Sequence, residues 1–314
     1  MSSCRIVFMG TPDFAVPCLD MLVREQYDVI AVVTQPDRPQ GRGQKLTASP
    51  VKQAALHYNL PVLQPEKIKS PDFEARLALL QPDVIVVVAF GQFLSQTILN
   101  LPPWGCINVH ASLLPQYRGA APIHWAVIQG EKYTGVTTMY MDSGMDTGDM
   151  ILKAEVPIEP ENTTGDIHDK LKEVGAAVLK KTLTLIKNRQ GPRTPQNSKF
   201  ASYAPLLTRE LERIHWSQSA VSIHNLVRGL NPWPGSFCLF QGKSLKIRQT
   251  RLAEPGSSAA NHPGRISRLT NAGFVVETGQ GFIEILVVQP ESKRSMNAND
   301  YANGYNITVG DVLE

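Results

Sequence analysis

Apolar positions in the first half of the chain follow two periods that alternate. Short β-rich runs recur at residues 5–9, 29–34, 61–63, 84–89 and 106–110, with the length and composition of buried strands. Between them, amphipathic spacing predicts helices over 13–24, 50–58, 71–80 and 94–99, and a further one over 122–129. Residues 84–89 read V-I-V-V-V-A. They are apolar on both faces, as a central parallel strand covered by helices on each side must be. The repeated βαβ order predicts an α/β fold with a Rossmann-like, doubly wound, mostly parallel sheet. Residues 135–141 and 150–156 read as two more strands around the turn S-G-M-D-T-G-D. Residues 164–187 read as a long helix, with candidate caps in N-T-T-G-D.

The pattern then breaks. Residues 191–204, G-P-R-T-P-Q-N-S-K-F-A-S-Y-A, hold turn formers and no period. Beyond them comes a short helix over 220–229 and the stretch N-P-W-P-G-S-F. From Phe237 to Leu313 the chain shows short alternating runs, such as 244–249, 273–277 and 282–289, between Gly, Pro and Asn turns. That pattern suits a small OB-like β-barrel. The expected organisation is a catalytic domain over 1–189, a basic linker over 190–207 and a barrel domain over 208–314.

Composition adds limits. At 314 residues the chain is long enough for two domains, and its 42% hydrophobic content is ordinary for a globular protein. No apolar run reaches the roughly 20 residues that span a bilayer. The N-terminus goes almost directly into a strand, which points to a cytoplasmic protein without a targeting segment. Four scattered cysteines form no C-x-x-C pair and no zinc spacing, so no metal is expected. Charge is unevenly spread: residues 1–179 hold 14 basic and 19 acidic side chains, residues 180–314 hold 17 and 9. A net charge of +8 on the second part fits a polyanionic partner, or else a solvated surface.

The chemistry narrows by exclusion. After the first strand the sequence is G-T-P-D-F. The G-x-G-x-x-G pattern is missing, and Pro12 has no backbone N–H for a pyrophosphate. No G-x-x-x-x-G-K-[ST] occurs either. What remains is Asn108 and His110, two apart at the end of a predicted parallel strand, and Asp146 in the downstream turn. Alternation puts Asn108 and His110 on one face, at the strand end where open α/β sheets bind ligands. An Asn amide can donate to a developing oxyanion, and a His can donate or handle a proton. Asp146 can orient the His. The set fits attack of an amine on a carbonyl through a tetrahedral intermediate. A strand end that merely caps its own turn is the plainer alternative.

Longer motifs decide between these. N-V-H-A-S-L-L-P-Q-Y-R-G-A-A-P-I-H-W-A, M-D-S-G-M-D-T-G-D-M, F-M-G-T-P-D-F-A-V-P, Q-P-D-R-P-Q-G-R-G-Q-K-L-T-A-S-P-V-K and N-P-W-P-G-S-F together span nearly the whole chain. The sequence resembles the 10-formyltetrahydrofolate-dependent formyltransferases. That resemblance implies transfer of a formyl group from N10 of tetrahydrofolate to the α-amino group of methionine esterified to initiator tRNA. It also implies Asn108, His110 and Asp146 as the catalytic trio, with no metal. Ser112, Leu113, Leu114 and Pro115 would line the folate site. Phe90 and Gly91 would flank the pterin, with Phe90 standing where the family commonly has Tyr, and Asp142 would lie near the same cleft. The resemblance also implies a monomer.

Within residues 36–52, Arg38, Arg42, Lys45 and Lys52 face one acid, Asp37. By the resemblance this insertion is a flexible tRNA-binding loop that enters the acceptor stem, with Arg38, Arg42 and Lys45 as contacts. The rivals are a formyltransferase acting on a small amine, a formyl-folate hydrolase, and an RNA-binding module on a degenerate enzyme fold.

Overall fold

The structure is a computed structural model that describes residues 4–40, 45–254 and 262–314. The chain divides into two units: 1–122, 134–156 and 168–204 form the first, and 123–133, 157–167 and 205–314 the second. Two short segments of the first half therefore group with the second unit, and residues 190–204 group with the first.

The first unit is built on a seven-stranded sheet. Its order is Met150–Pro157, Tyr133–Tyr140, Cys106–His110, Val84–Val88, Arg5–Gly10, Asp28–Val33 and Val62–Leu63. The five strands from Cys106–His110 to Val62–Leu63 run parallel, and Tyr133–Tyr140 joins antiparallel beside Cys106–His110. The chain reverses direction across the sheet between Arg5–Gly10 and Val84–Val88, which makes the carboxyl ends of those strands the natural ligand crevice. All five residues of Val84–Val88 are buried. Fully burying one such aliphatic side chain stabilises by roughly 1.5–3 kcal/mol, so this strand anchors the sheet. Register carries one face outward along the strands. Val7, Ile85 and Cys106 are neighbours in one row, Met9, Val87 and Asn108 in the next. The first row lies in an apolar core with Phe73, Leu77, Ile98 and Leu99 from the covering helices. The second brings Asn108 to the rim of that core.

The helices begin where their caps dictate. Ser49 accepts from the Lys52 N–H (3.1 Å) and Pro50 opens the helix Pro50–His57. Ser95 accepts from the Ile98 N–H at the start of the four-residue helix Gln96–Leu99. A side-chain cap of this kind is worth about 1 kcal/mol.

The second unit holds an antiparallel sheet in the order Ser236–Phe240, Lys243–Ala253, Phe282–Pro290, Phe274–Glu277 and Ile266–Leu269, with Met296–Asn297 paired to Phe282–Pro290. Register shifts around Gln249 bend the long strand Lys243–Ala253. Its alternate residues Leu245 and Ile247 enter a core with Ile223, Val227, Phe274, Ile283 and Ile285. Lys246 and Arg248 are half-buried on the opposite face. Their cationic heads donate to the carbonyls of Pro234 (2.7 Å) and Pro232 (2.8 Å) in the N-P-W-P-G loop.

His224 is buried in this unit between the Thr250 hydroxyl (2.9 Å) and the Pro160 carbonyl (3.3 Å). Burial, which penalises the charged ring, pushes its pKa below the ordinary value. The unfolded chain therefore binds the proton more readily than the folded one. Stability linked to His224 is present above about pH 6.5 and is lost as pH falls below it. Thermal melts from pH 7.5 to 5 should show a fall in Tm that is smaller in His224→Gln than in the parent. An equal fall would place the acid sensitivity elsewhere.

Candidate active site

Asn108 and His110 close the strand Cys106–His110, whose five residues are all buried. A buried polar group must be bonded or it costs free energy, and the turn Met141–Asp149 supplies the partner. Asn108 Nδ2 donates to Asp146 Oδ1 at 3.4 Å. His110 Nδ1 lies 3.7 Å from Asp146 Oδ2. The structure thus brings together all three residues that the sequence motifs single out. His110 Nε2 sits 3.0 Å from the Tyr117 carbonyl oxygen. A carbonyl can only accept, so the neutral ring carries its proton on Nε2. Nδ1 is then the free lone pair, and it faces Asp146.

The loop after the strand is held from several sides. The Thr137 hydroxyl donates to the Ser112 carbonyl (2.7 Å) and accepts from the Leu114 N–H (3.1 Å). Ser112 Oγ donates to the Gln116 carbonyl (2.6 Å), and Lys153 Nζ donates to the Leu114 carbonyl. The Gly119 N–H donates to Asp146 Oδ2 at 2.9 Å. Gly119 has φ +118°, and a Cβ there would stand 2.8 Å from the Ala204 carbonyl oxygen. Only glycine brings this backbone so close to both Asp146 and Ala204.

The other residues named from sequence fall into distinct places. Ser112 and Leu114 are fully buried and hold the loop from inside. Leu113 and Pro115 are half-exposed. Phe90 is buried in the core beside Leu94, while its carbonyl accepts from Thr11 Oγ1 and Gln35 Nε2 (both 3.1 Å). Gly91 is exposed with φ +88°, and the space a Cβ would occupy there is open, with Gln35 Nε2 nearest at 3.9 Å. Asp142 is exposed, and its Oδ1 accepts from the Gly144 N–H (3.0 Å) and the Thr147 hydroxyl (2.7 Å).

In the loop read as flexible, the flanks are ordered. Arg38–Gln40 and Lys45–Thr47 form a short antiparallel pair. Arg38 pairs with Glu66 at 2.9 Å, with both side chains exposed. Lys52 belongs to the helix Pro50–His57 and donates to Asp37 at 2.6 Å, which helps hold the Asp37 carboxyl below its ordinary range. Lys45 lies opposite Gln40, and Arg42 falls outside the described residues.

Sequence reading missed the segment 190–204. Met150 and Thr194 exchange two backbone hydrogen bonds (2.9 and 3.0 Å). Tyr203–Ala204 pairs in parallel with Arg118–Gly119. Gln196 and Ser202 reach the site loops directly. The turn-rich composition of this stretch hides these contacts.

Among the described residues, Asp13, His168 and Asp169 have ligand atoms within 4.8 Å of one another, but Asp169 already pairs with Lys172 at 2.7 Å. No helix among the described residues is long and apolar enough to cross a membrane.

The site also lacks a reactive thiol. Cys106 precedes Asn108 on the same strand face, but its Sγ points to the Ile98 carbonyl at 3.6 Å, and burial pushes its pKa up to about 12. Burial likewise raises Cys4, Cys18 and Cys238 to about 12. At pH 8 the native protein should not react with a thiol-specific disulfide reagent on the minutes timescale, and all four thiols should titrate after unfolding in urea. A fast native thiol would contradict this burial.

Family models for formyl transferase and for the formyl transferase C-terminal domain match residues 4–183 and 206–306. A methionyl-tRNA formyltransferase of Moorella thermoacetica is 54% identical over 309 residues, covering 98% of this chain and 99% of the relative. That of Acetivibrio thermocellus is 50% identical over 312 residues, with the same coverage. Among solved structures, HypX from Aquifex aeolicus in complex with tetrahydrofolic acid shares the fold. Its TM-score is 0.66 at 17% identity, over 99% of this chain and 49% of that one.

Proposed function

The chain belongs to the formyl transferase family and is a formyl-transferring enzyme. On that premise we propose that it moves the formyl group of 10-formyltetrahydrofolate to the α-amino group of methionyl-initiator-tRNA in the cytoplasm. The donor and acceptor follow from the relatives' activity and from their near-complete coverage of the chain. The observation that carries the mechanism is the convergence of Asn108, His110 and Asp146 at one strand end.

The folate is a co-substrate, and the surrounding residues suit it. The turn after Val84–Val88 has Ala89 and Gly91 in left-handed conformation and both are exposed, so peptide groups rather than bulky side chains meet a flat heterocycle there. Leu113 and Pro115 offer apolar contact. The buried Phe90 leaves its ring in the core, so the hydroxyl that a Tyr would bear is not needed for the turn itself.

The amine attacks the formyl carbon in its neutral form, forming the new C–N bond while the carbonyl π pair moves onto oxygen. Asn108 Nδ2 supplies a preorganised donor for that oxyanion. His110, with its proton held on Nε2 by Tyr117, takes the ammonium proton on Nδ1. The imidazolium then sits 3.7 Å from the Asp146 carboxylate. Collapse of the intermediate breaks the bond to N10, which leaves with the proton that His110 Nδ1 gives back, so the imidazole returns to its neutral form.

The basic insertion at 36–52, with Arg38, Arg42 and Lys45, provides contacts to the tRNA backbone in this reading. In this reading the tRNA also meets the stretch 180–199, which holds six basic and no acidic residues, and the barrel over 208–314.

Labelled formyl transfer from 10-formyltetrahydrofolate to methionyl-initiator-tRNA tests the proposal. Asn108→Ala should lower kcat by about 10²–10³-fold, the usual effect of removing one oxyanion donor. Arg42→Ala should act mainly on KM for tRNA. Folate consumption without formylated tRNA would sink the acceptor, and a fully active Asn108→Ala would sink the mechanism.

A further inference from the structure

The segment 190–204 makes up most of the stretch 190–207 that the sequence presents as a basic linker. Its contacts assign it a different task. We propose that Gln196 is a positioning residue that sets the Asp146 carboxylate against His110 and Asn108. The proposal rests on the catalytic reading of those three residues given above.

All four hydrogen-bonding positions of the Gln196 amide are used. Its Oε1 accepts from Arg118 Nε (3.0 Å) and Nη2 (2.7 Å). Its Nε2 donates to the Asp146 carbonyl (2.8 Å) and the Gly148 carbonyl (2.9 Å). One amide thus ties the loop that follows the Asn/His strand to the turn that carries Asp146. Both anchors need it. Arg118 is buried at 4% exposure, and a buried guanidinium requires an acceptor. Asp146 has φ +54°, which is uncommon for a residue other than glycine and persists where surrounding contacts hold it.

The rest of the segment acts in the same direction. Ser202 Oγ accepts from the Tyr117 N–H (2.9 Å), and the Ser202 carbonyl accepts from the Arg118 N–H (2.8 Å). Tyr117 supplies the carbonyl that meets His110 Nε2. Gln196 therefore governs where the carboxylate sits, and Ser202 governs the carbonyl that fixes the ring's proton. A shift of about 1 Å in a reacting constellation can cost 10²-fold in rate. A residue with no reach to substrate can therefore limit turnover.

A plainer role for Gln196 is to satisfy Arg118 and nothing more. Gln196→Glu separates the two. It keeps an acceptor for Arg118, now charged, and removes both donors to the Asp146 turn. In the full-length enzyme, with 10-formyltetrahydrofolate and methionyl-initiator-tRNA, kcat of Gln196→Glu should fall about 10–100-fold, while both KM values stay within about twofold. In an Asp146→Ala background the same change should cost nothing more, since residues that act as a unit are not additive. If Gln196→Glu does not fold, the double variant Arg118→Leu/Gln196→Met leaves no charge unpaired and removes the same donors. The same loss of kcat is expected of it.

Unchanged kcat in the folded variant, or a loss that adds in full to that of Asp146→Ala, would overturn the role of Gln196. If Asp146→Ala itself turns over like wild type, the catalytic reading falls and the proposal falls with it. The first pair of outcomes leaves that reading standing, and the last does not.

Discussion

Everything at the site depends on one constraint: two polar heads end a strand with no exposed residue. Asn108 and His110 can be buried there only if each finds a partner. Asp146 accepts from Asn108 at 3.4 Å, the Tyr117 carbonyl accepts from His110 Nε2 at 3.0 Å, and Asp146 lies 3.7 Å from the other ring nitrogen. The need for those partners fixes the loop and the turn relative to the strand. The same bonds that make burial tolerable also aim the groups. Stability and site geometry therefore share one set of contacts, and under the proposed reaction the donors need not reorganise as charge develops.

The strand face grades from apolar to polar along its length. Cys106 lies deepest, its thiol turned into the core and its pKa raised to about 12 by burial. Asn108 and His110 follow toward the carboxyl end, both buried, and the antiparallel strand Tyr133–Tyr140 is paired beside them from Ile107 to His110. That strand contributes Thr137, in register with His110, whose hydroxyl pins the S-L-L-P loop. A Ser or Cys nucleophile is not offered at this position. The proposed direct attack on the formyl carbon needs none.

Much of this was legible in the sequence because it is local. The short, β-branched apolar run at Val84–Val88 reads as a central strand, and period-2 alternation puts Asn108 and His110 on one face without reference to coordinates. The spacing of the S-G-M-D-T-G-D turn placed Asp146 in a loop between two strands. What the pattern hid is long-range or irregular. Ile266–Leu269 is four residues long, and the helix Ala298–Gly304 follows a two-residue strand, so neither builds a period. The short antiparallel pair flanking residues 41–44 looks like a charged loop because its strands are three residues each. The left-handed backbone at Asp146 falls on a residue type that gives no more than a weak hint of it.

Residues 190–204 show why turn-rich composition is a poor guide to a linker. Pro, Gly, Asn and Ser break helices and strands, but they do not prevent a chain from being held by its side chains and by isolated backbone pairs. Thr194 is bonded to Met150, Gln196 to the Asp146 turn, and Ser202 to Tyr117 and Arg118. These partners lie 44 to 85 residues away in sequence, beyond any periodic signal. A covering segment of this kind is free of the demand to bury an apolar face, so its residues are chosen by hydrogen-bonding shape. Gln is suited to that work. It offers two acceptor sites and two donors in one plane, without the charge that would have to be neutralised beside the Asp146 carboxylate.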